Sequence, residues 1–308
     1  MKRTYSLICV PSSAGAHWPG QEKTPRYLRK AGLVEGLESV GIEVVDYGDL
    51  PLVRFRPDRE HRDRQNLEAV IEICKRVADQ VELSLTDNTK LLVIGGDCTI
   101  GLGVLAGFLR RHEDLSLLYF DGHVDLNTPI TSSSGILDSM GIAHMIGEQG
   151  TVDELSHIGP RFPMMVEEKI VLFGFNPQEI NAAERDLLAR KRFQRYPVFE
   201  VRSNPMHAAT EALNYLEKQG NRFLVHLDVD VIDFTDFPVA DVPQFSEGLR
   251  FQDVLTCLAT FTASPNFCGM TITEFNPDHA DEEGVLAATF IDGLARALVG
   301  KKPAPASK

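Results

Sequence analysis

Apolar positions recur along the chain with two different periods. Short, β-branched apolar runs occur at Tyr5–Val10, Leu91–Ile94, Leu115–Phe120, Ile170–Phe173, Phe223–Leu227 and Met270–Thr273, and most stop abruptly at Gly or Asp. A run with no polar face is buried on both sides, as a strand inside a parallel sheet is. Between the runs, apolar residues return every three or four positions. In Asn66–Leu85 they are Leu67, Val70, Ile71, Cys74, Val77, Val81 and Leu85, one face of a helix. The same period predicts helices over Thr24–Val40, Glu179–Arg192, Met206–Gln219, Phe251–Thr262 and Glu283–Val299, with Pro25 at an early position that suits it. Strands alternating with helices imply right-handed crossovers. The expected architecture is a single three-layer, doubly wound α/β domain with a mostly parallel central sheet, spanning residues 1–300. The Pro-rich, polar segment 301–308 reads as a frayed, flexible tail. The Ser- and Gly-rich stretch Thr128–Gly150 reads as a long functional loop leading into a short helix.

Composition narrows the class. A chain of 308 residues, 43% hydrophobic and 24% charged, is that of a globular protein with a core large enough to need no staples. Its five cysteines, Cys9, Cys74, Cys98, Cys257 and Cys268, are odd in number and contain no CxxC spacing. They fit a reducing compartment better than a disulfide scaffold. The N-terminal apolar run is too short for a signal peptide, and no stretch approaches a membrane span, so a cytoplasmic location is expected. The net charge of -13 argues against nucleic acid or an anionic membrane as partner, and is compatible with a cationic substrate.

The chemistry gathers where the strands end. Ligands of an open α/β sheet bind beyond the carboxyl ends of its strands. There the chain reads Gly95-Gly96-Asp97-Cys98, Asp121-Gly122-His123-Val124-Asp125, Asp228-Val229-Asp230 and Glu274. Four strand ends thus deliver Asp121, Asp125, Asp228, Asp230 and Glu274, with His123 and Cys98, toward one edge. The directions of Asp97 and Asp233 are left open. Like charges so grouped raise one another's pKa values, and a cation is the simplest compensation. Carboxylates with one imidazole suit divalent metals such as Mn²⁺. Alternate residues of Asp-x-His-x-Asp, or of Asp-x-Asp, share one face of an extended chain. Two such clusters can share carboxylates between two metals. One such motif alone is usually a solvated loop; four at successive strand ends are not.

These motifs resemble those of the arginase/agmatinase ureohydrolases, whose pattern runs GGDHS, DAHxD, SxDxDxxDP and then a late Glu. This chain reads GGDCT, DGHVD, LDVDVID and TEFNP in the same order and at comparable spacing, and the likeness extends to about Val299. Asp125–Pro129, Thr131–Gly135, Leu28–Leu33 and Asp46–Leu50 are similar to arginases proper. The resemblance implies an arginase-like fold, two divalent ions, Mn²⁺ first among them, and a homo-oligomer. By its pattern Asp121 and Asp228 bridge the metals, Cys98 and Asp125 complete one, and His123 with Asp230 the other. Asn127 and Ser134 match positions that hold a substrate α-carboxylate. Glu274 matches the acid that orients a guanidinium, and Asp125 is the candidate to pass a proton to the leaving amine. The activity implied is hydrolysis of a guanidino group of arginine, or of an arginine derivative, to urea or hydroxyurea and an ornithine-type amine.

Three departures from that pattern carry information. Cys98 stands where the family has His: either a ligand is lost, or sulfur coordinates and shifts preference toward Zn²⁺ or Fe²⁺. The similar N-hydroxyarginine hydrolases also carry Cys there. Asp138 stands at a catalytic position where arginases keep a proton-relaying His; an ordinary carboxyl there accepts protons rather than donating them at neutral pH. His144 is the candidate substitute. The segment Gly174–Glu179 lacks the acid used around an α-amino group, leaving Glu179 or Glu184 for that role. These changes point away from free arginine toward N-hydroxyarginine or an arginine-containing peptide. A competing reading is a metal-retaining but inactive homologue that binds a ligand or partner. A nucleotide-binding Rossmann domain is disfavoured, because after Gly101-Leu102-Gly103 the third glycine position holds Ala106 and Gly107 comes one place late.

Overall fold

Each predicted apolar run forms a strand. The structure, a computed structural model, describes residues 3–281 and 283–301. Its strands are β1 (Arg3–Cys9), β2 (Ile42–Asp49), β3 (Thr89–Ile94), β4 (Ser116–Phe120), β5 (Ile170–Phe173), β6 (Gln194–Tyr196), β7 (Phe223–Asp228) and β8 (Phe267–Thr273). They form one eight-stranded sheet in the order β2-β1-β3-β8-β7-β4-β5-β6. Every pairing is parallel, so the mostly parallel sheet expected is fully so.

Alternation along the strands splits the core in two. Leu92 and Ile94 of β3, with Leu118 and Phe120 of β4, pack on one face. Leu91, Val93, Leu117 and Tyr119 pack on the other. The helices are α1 (Thr24–Lys30), α2 (Leu33–Ser39), α3 (Leu67–Ser84), α4 (Ile100–Leu109), α5 (Gly141–Met145), α6 (Asp153–Ser156), α7 (Ala182–Arg190), α8 (Val198–Ser203), α9 (Pro205–Gln219), α10 (Phe251–Ala263) and α11 (Val285–Leu298). Residues of α1, α2 and α8–α11 cover the first face, and residues of α3–α7 the second. The result is the three-layer domain expected. Among the described residues no helix is long and apolar enough to cross a membrane. Of the predicted tail 301–308, all but Lys301 lies outside the described residues.

The elements that the apolar pattern does not reveal have physical reasons. β2 and β6 are the sheet edges and largely half-buried or exposed, so neither has a continuous apolar run. α4 is buried on every side and therefore lacks a polar face. Thr24–Val40 is two helices, interrupted where Gly32 takes a left-handed φ of 88°. The Gly-x-Gly of α4 serves packing: Cβ atoms at Gly103 and Gly107 would lie 2.4 Å from Cys74 O and 2.5 Å from Ala78 O of α3.

The register aligns the strand ends. Ile94 pairs with Ile272, Ile272 with Leu227, and Leu227 with Phe120 across β3, β8, β7 and β4. Neighbouring strands lie about 4.8 Å apart. Residues far apart in sequence therefore leave the sheet side by side and at the same level.

Because Gly103 admits the α3 backbone, Gly103→Val should lower stability by about 3 kcal/mol through overpacking. The urea-unfolding midpoint reads this directly; an unchanged midpoint would mean the two helices can part without loss.

Candidate metal centre

Beyond the aligned strand ends, short hydrogen bonds fold the acidic loops inward. Asp121 Oδ1 accepts from His123 N at 2.5 Å, turning the β4 loop back on itself. Gly122 N donates to Asp230 Oδ1 at 3.0 Å, and Asp230 N to Asp228 Oδ1 at 2.7 Å. A Cβ at Gly122 would lie 2.9 Å from Asp230 Oδ1, so glycine lets the two loops meet. Asp125 and Glu274 have φ of 47° and 62°. Non-glycine residues held there carry strain that the surroundings must enforce, a pattern typical of functional positions. Asp125 is held by the Tyr119 hydroxyl, which donates to Oδ2. Glu274 is held at three points: its N donates to Gly96 O at 2.9 Å, Gln21 Nε2 donates to Oε2 at 2.9 Å, and Cys98 N to Oε1 at 2.9 Å.

The predicted residues meet around one cavity of about 720 Å³. His123 Nδ1 lies 2.8 Å from Asp230 Oδ2 and 3.7 Å from Asp121 Oδ1. Cys98 Sγ donates to Asp228 Oδ2 at 2.9 Å and sits 3.0 Å from Thr273 Oγ1. Three overlapping groups keep their donor atoms within 4.8 Å of one another: Asp121, His123 and Asp230; Cys98, Asp121 and His226; and Cys98, Asp138 and Glu274.

Electrostatically the centre is unbalanced. Burial pushes Asp121, Asp228 and Glu274 well above the usual carboxylate range, and neighbouring acids add to it. Asp125 is pushed up to about 7, again mainly by burial. For His123 burial opposes the charged form, but Asp230 and Glu179 outweigh it and raise its pKa. Among the described residues no Lys or Arg forms an ion pair with these five acids. Asp121 Oδ2 is buried without any hydrogen-bond partner. An orphaned carboxylate oxygen inside a cluster of oxygen, nitrogen and sulfur donors is what a divalent cation would satisfy, so the residues present fit one.

Several residues take places the sequence does not foretell. Asp97 bonds Ser12 Oγ at 3.1 Å, Gly15 N at 3.2 Å and Thr99 N at 3.1 Å, bracing the β1 and β3 loops. Asp233 likewise ties its own loop through Thr235 N at 2.9 Å and Ser246 N at 3.1 Å. His144 is no substitute at the mouth. It is buried, its Nδ1 is 2.7 Å from Met140 O, its Nε2 accepts from Val152 N at 3.1 Å, and burial lowers its pKa to about 4. The imidazole that lines the cavity besides His123 is His17, from a loop far in sequence from every acidic motif. Asp138 is not the ordinary proton acceptor expected. Cys98 N donates to its Oδ1 at 2.6 Å as well as to Glu274, and burial with the Glu274 charge pushes its pKa well up. Oxygens of the two carboxyls lie within 4.8 Å of each other, and each disfavours ionisation of the other.

Asn127 and Ser134 both line the cavity. Asn127 Oδ1 accepts from Asn181 Nδ2 at 2.8 Å, and Ser134 Oγ accepts from Ile136 N at 3.3 Å. Glu184 is occupied: it caps α7 through Asn181 N at 3.1 Å and accepts from Leu126 N at 3.3 Å. Glu179 faces His123 Nε2 at 3.6 Å. His226, fully buried beside Cys98, was not singled out by any sequence motif; its burial lowers its pKa to about 3.

A model of the arginase family matches residues 3–295. The arginase of Brevibacillus brevis is 28% identical over 303 residues, spanning 98% of this chain and 99% of that one. Arginase-1 of Homo sapiens is 29% identical over 279 residues, or 89% of this chain and 85% of that one. The native structure of the arginase from Bacillus caldovelox superposes with a TM-score of 0.86 at 27% identity, covering 97% of this chain and 99% of that one.

Carboxyls raised by burial keep protons that a cation must displace, so metal binding weakens as pH falls. Such a group costs no stability below its unfolded pKa and its full cost is incurred above the folded value, about 7 for Asp125. The metal-free protein therefore loses this stability as pH rises, and the bound cation restores it. The rise in Tm on adding Mn²⁺ should be small near about pH 5.5 and grow toward about pH 8. Scanning fluorimetry across that range measures it, and a pH-independent rise would contradict the protonated cluster.

Proposed function

The chain belongs to the arginase family, and on that premise we propose that it is a metal-dependent amidinohydrolase that cleaves the guanidino group of arginine or an arginine derivative. The observation that carries this reading is the ring of His123, Asp125, Asp228, Asp230 and Glu274 around one cavity, with Asp121 grouped beside His123 and Asp230 and no Lys or Arg of the described protein to balance them. Asp121 and Asp228 lie between the two clusters and would be shared. Cys98 and Asp125 would hold one ion, His123 and Asp230 the other. Oxygen donors favour Mn²⁺, while the sulfur of Cys98 favours a softer ion at its end. When bound, the pair supplies Lewis acidity and brings the pKa of water low enough to give a nucleophile at neutral pH.

The remaining work belongs to side chains. Glu274, fixed by Gln21 and by Cys98 N, orients the guanidinium through charge-assisted hydrogen bonds. Water oxygen bonds to the guanidino carbon, the bond from that carbon to the amine nitrogen breaks, and a proton reaches that nitrogen. Asp125, whose carboxyl lines the cavity, is the group in place to carry the proton. Its strained backbone and the Tyr119 hydroxyl keep the carboxyl aimed. Asp138 fixes Cys98 N rather than relaying charge at the mouth; His17 is placed to do the latter. Asn127 and Ser134 offer polar groups for a carboxylate at the far end of the substrate, and Glu179 an acid for an amine. Glu184, spent on α7, leaves Glu179 as the acid for an α-amine, which favours a peptidyl arginine, whose α-amine is already acylated, over free arginine.

Urea or hydroxyurea release after Mn²⁺ loading, measured on arginine, N-hydroxyarginine, agmatine and an arginine peptide, tests the reading. Turnover is expected on an arginine derivative. Glu274→Gln should reduce kcat/KM by about 100- to 1,000-fold with metal content unchanged. Metal-loaded protein inert on the whole panel would leave the inactive, ligand-binding homologue as the correct reading.

A further inference from the structure

β7 ends Val225-His226-Leu227-Asp228. Alternate residues of a strand share a face, so His226 stands one step below Asp228, on the face that carries Leu224. That layer is largely apolar, and a histidine placed in it must satisfy its nitrogens locally or lose free energy. His226 does so at one end only. Its Nε2 lies 3.2 Å from Cys98 Sγ and 3.3 Å from Thr273 Oγ1. Its Nδ1 is buried with no partner. The ring stacks on Tyr119 at 4.5 Å and 3°, the same tyrosine that holds Asp125. Space for it is left by Gly101, where a Cβ would lie 3.1 Å from Nδ1. A donor nitrogen of His226, Cys98 Sγ and an Asp121 oxygen all fall within 4.8 Å of one another.

Set beside the motif pattern, the placement becomes an exchange. The pattern puts a His after GGD and a small hydroxyl residue two places before the first Asp of DxD. This chain has the small side chain, Cys98, at the first position and an imidazole, His226, at the second. The two touch across the gap between the β3–α4 turn and β7. We propose that His226 is a metal ligand, so that the ion on the Cys98 side receives its imidazole from β7 and Cys98 both makes room for that ring and adds sulfur. The donor set there is then Cys98, His226 and the carboxylates of Asp121, Asp125 and Asp228. This rests on the binuclear reading above and deepens it: the site is re-ligated rather than short of a ligand, and is softer than one built from carboxylates and a single imidazole.

Metal stoichiometry and affinity, by calorimetry and metal analysis of the full-length protein, test it. Wild type should bind two ions. His226→Ala should weaken one of them by more than about 100-fold, beyond the 10- to 100-fold effect of an outer-shell partner. The exchange variant Cys98→His with His226→Ser should bind two ions again, without the sulfur-to-metal charge-transfer band expected of cobalt-loaded wild type. A measurement that needs no variant is cadmium NMR of wild type carrying nitrogen-labelled histidine. Both cadmium signals should be split by an imidazole nitrogen, the sulfur-shifted one included. A sulfur-shifted signal without nitrogen coupling, or His226→Ala binding both ions within tenfold of wild type, overturns the ligand assignment and leaves the metal pair standing. Wild type that binds no second ion removes the binuclear reading itself.

Discussion

The carboxylates of Asp121, Asp125, Asp228, Asp230 and Glu274 are buried together, and no arginine or lysine among the described residues answers them. In water such groups ionise freely; inside the protein each charged form loses solvation and is repelled by its neighbours. Only protons or added cations relieve that load. Much of the surrounding architecture keeps the acids in place despite it. The fully parallel sheet presents β3, β8, β7 and β4 as neighbours with aligned ends. Its two apolar layers exclude water from below. The loops above are laced by Asp97, Gln21 and the amides of Gly122 and Cys98.

Within this frame strain and neutral hydrogen bonds aim the groups. Asp125 and Glu274 both adopt left-handed backbone, an unfavourable choice for a side-chain-bearing residue. Each is paired with a rigid donor, the Tyr119 hydroxyl in one case and the Gln21 amide in the other. Neither donor carries charge. The orientation is thereby set while the negative charge stays available, which a salt bridge to arginine would have cancelled.

Three positions that depart from the family motif, Cys98, Asp138 and His226, are connected through one backbone amide and one sulfur. Cys98 N is shared by Asp138 and Glu274, and Cys98 Sγ reaches both Asp228 and His226. A change at position 98 therefore touches the acid that faces the guanidinium, the acid at the former relay position and the buried imidazole together. This coupling explains why the substitutions make sense as a set better than one at a time.

Local sequence was sufficient for the six inner strands, the layer count and the acids. Period-two and continuous apolar runs report burial directly, and a run that stops at Asp121 or Asp228 marks a strand end without any knowledge of its neighbours. Edge strands β2 and β6 escaped because their mixed exposure breaks any continuous apolar run, and α4 because burial on every side leaves it no polar face. Which acid faces the cavity was decided by tertiary structure alone. Asp97 and Asp228 are equally acidic and each follows an apolar strand, yet hydrogen bonds from Ser12, Gly15 and Thr99 consume the first and leave the second in the cluster. Glu184 and Glu179, five residues apart, divide in the same way through the cap of α7. His226 was invisible as a site residue because its partner Cys98 is 128 positions away and arrives only when β3 and β7 flank β8. The sequence determines which residues can carry charge or bind metal; their pairing across the sheet decides which remain free to do so.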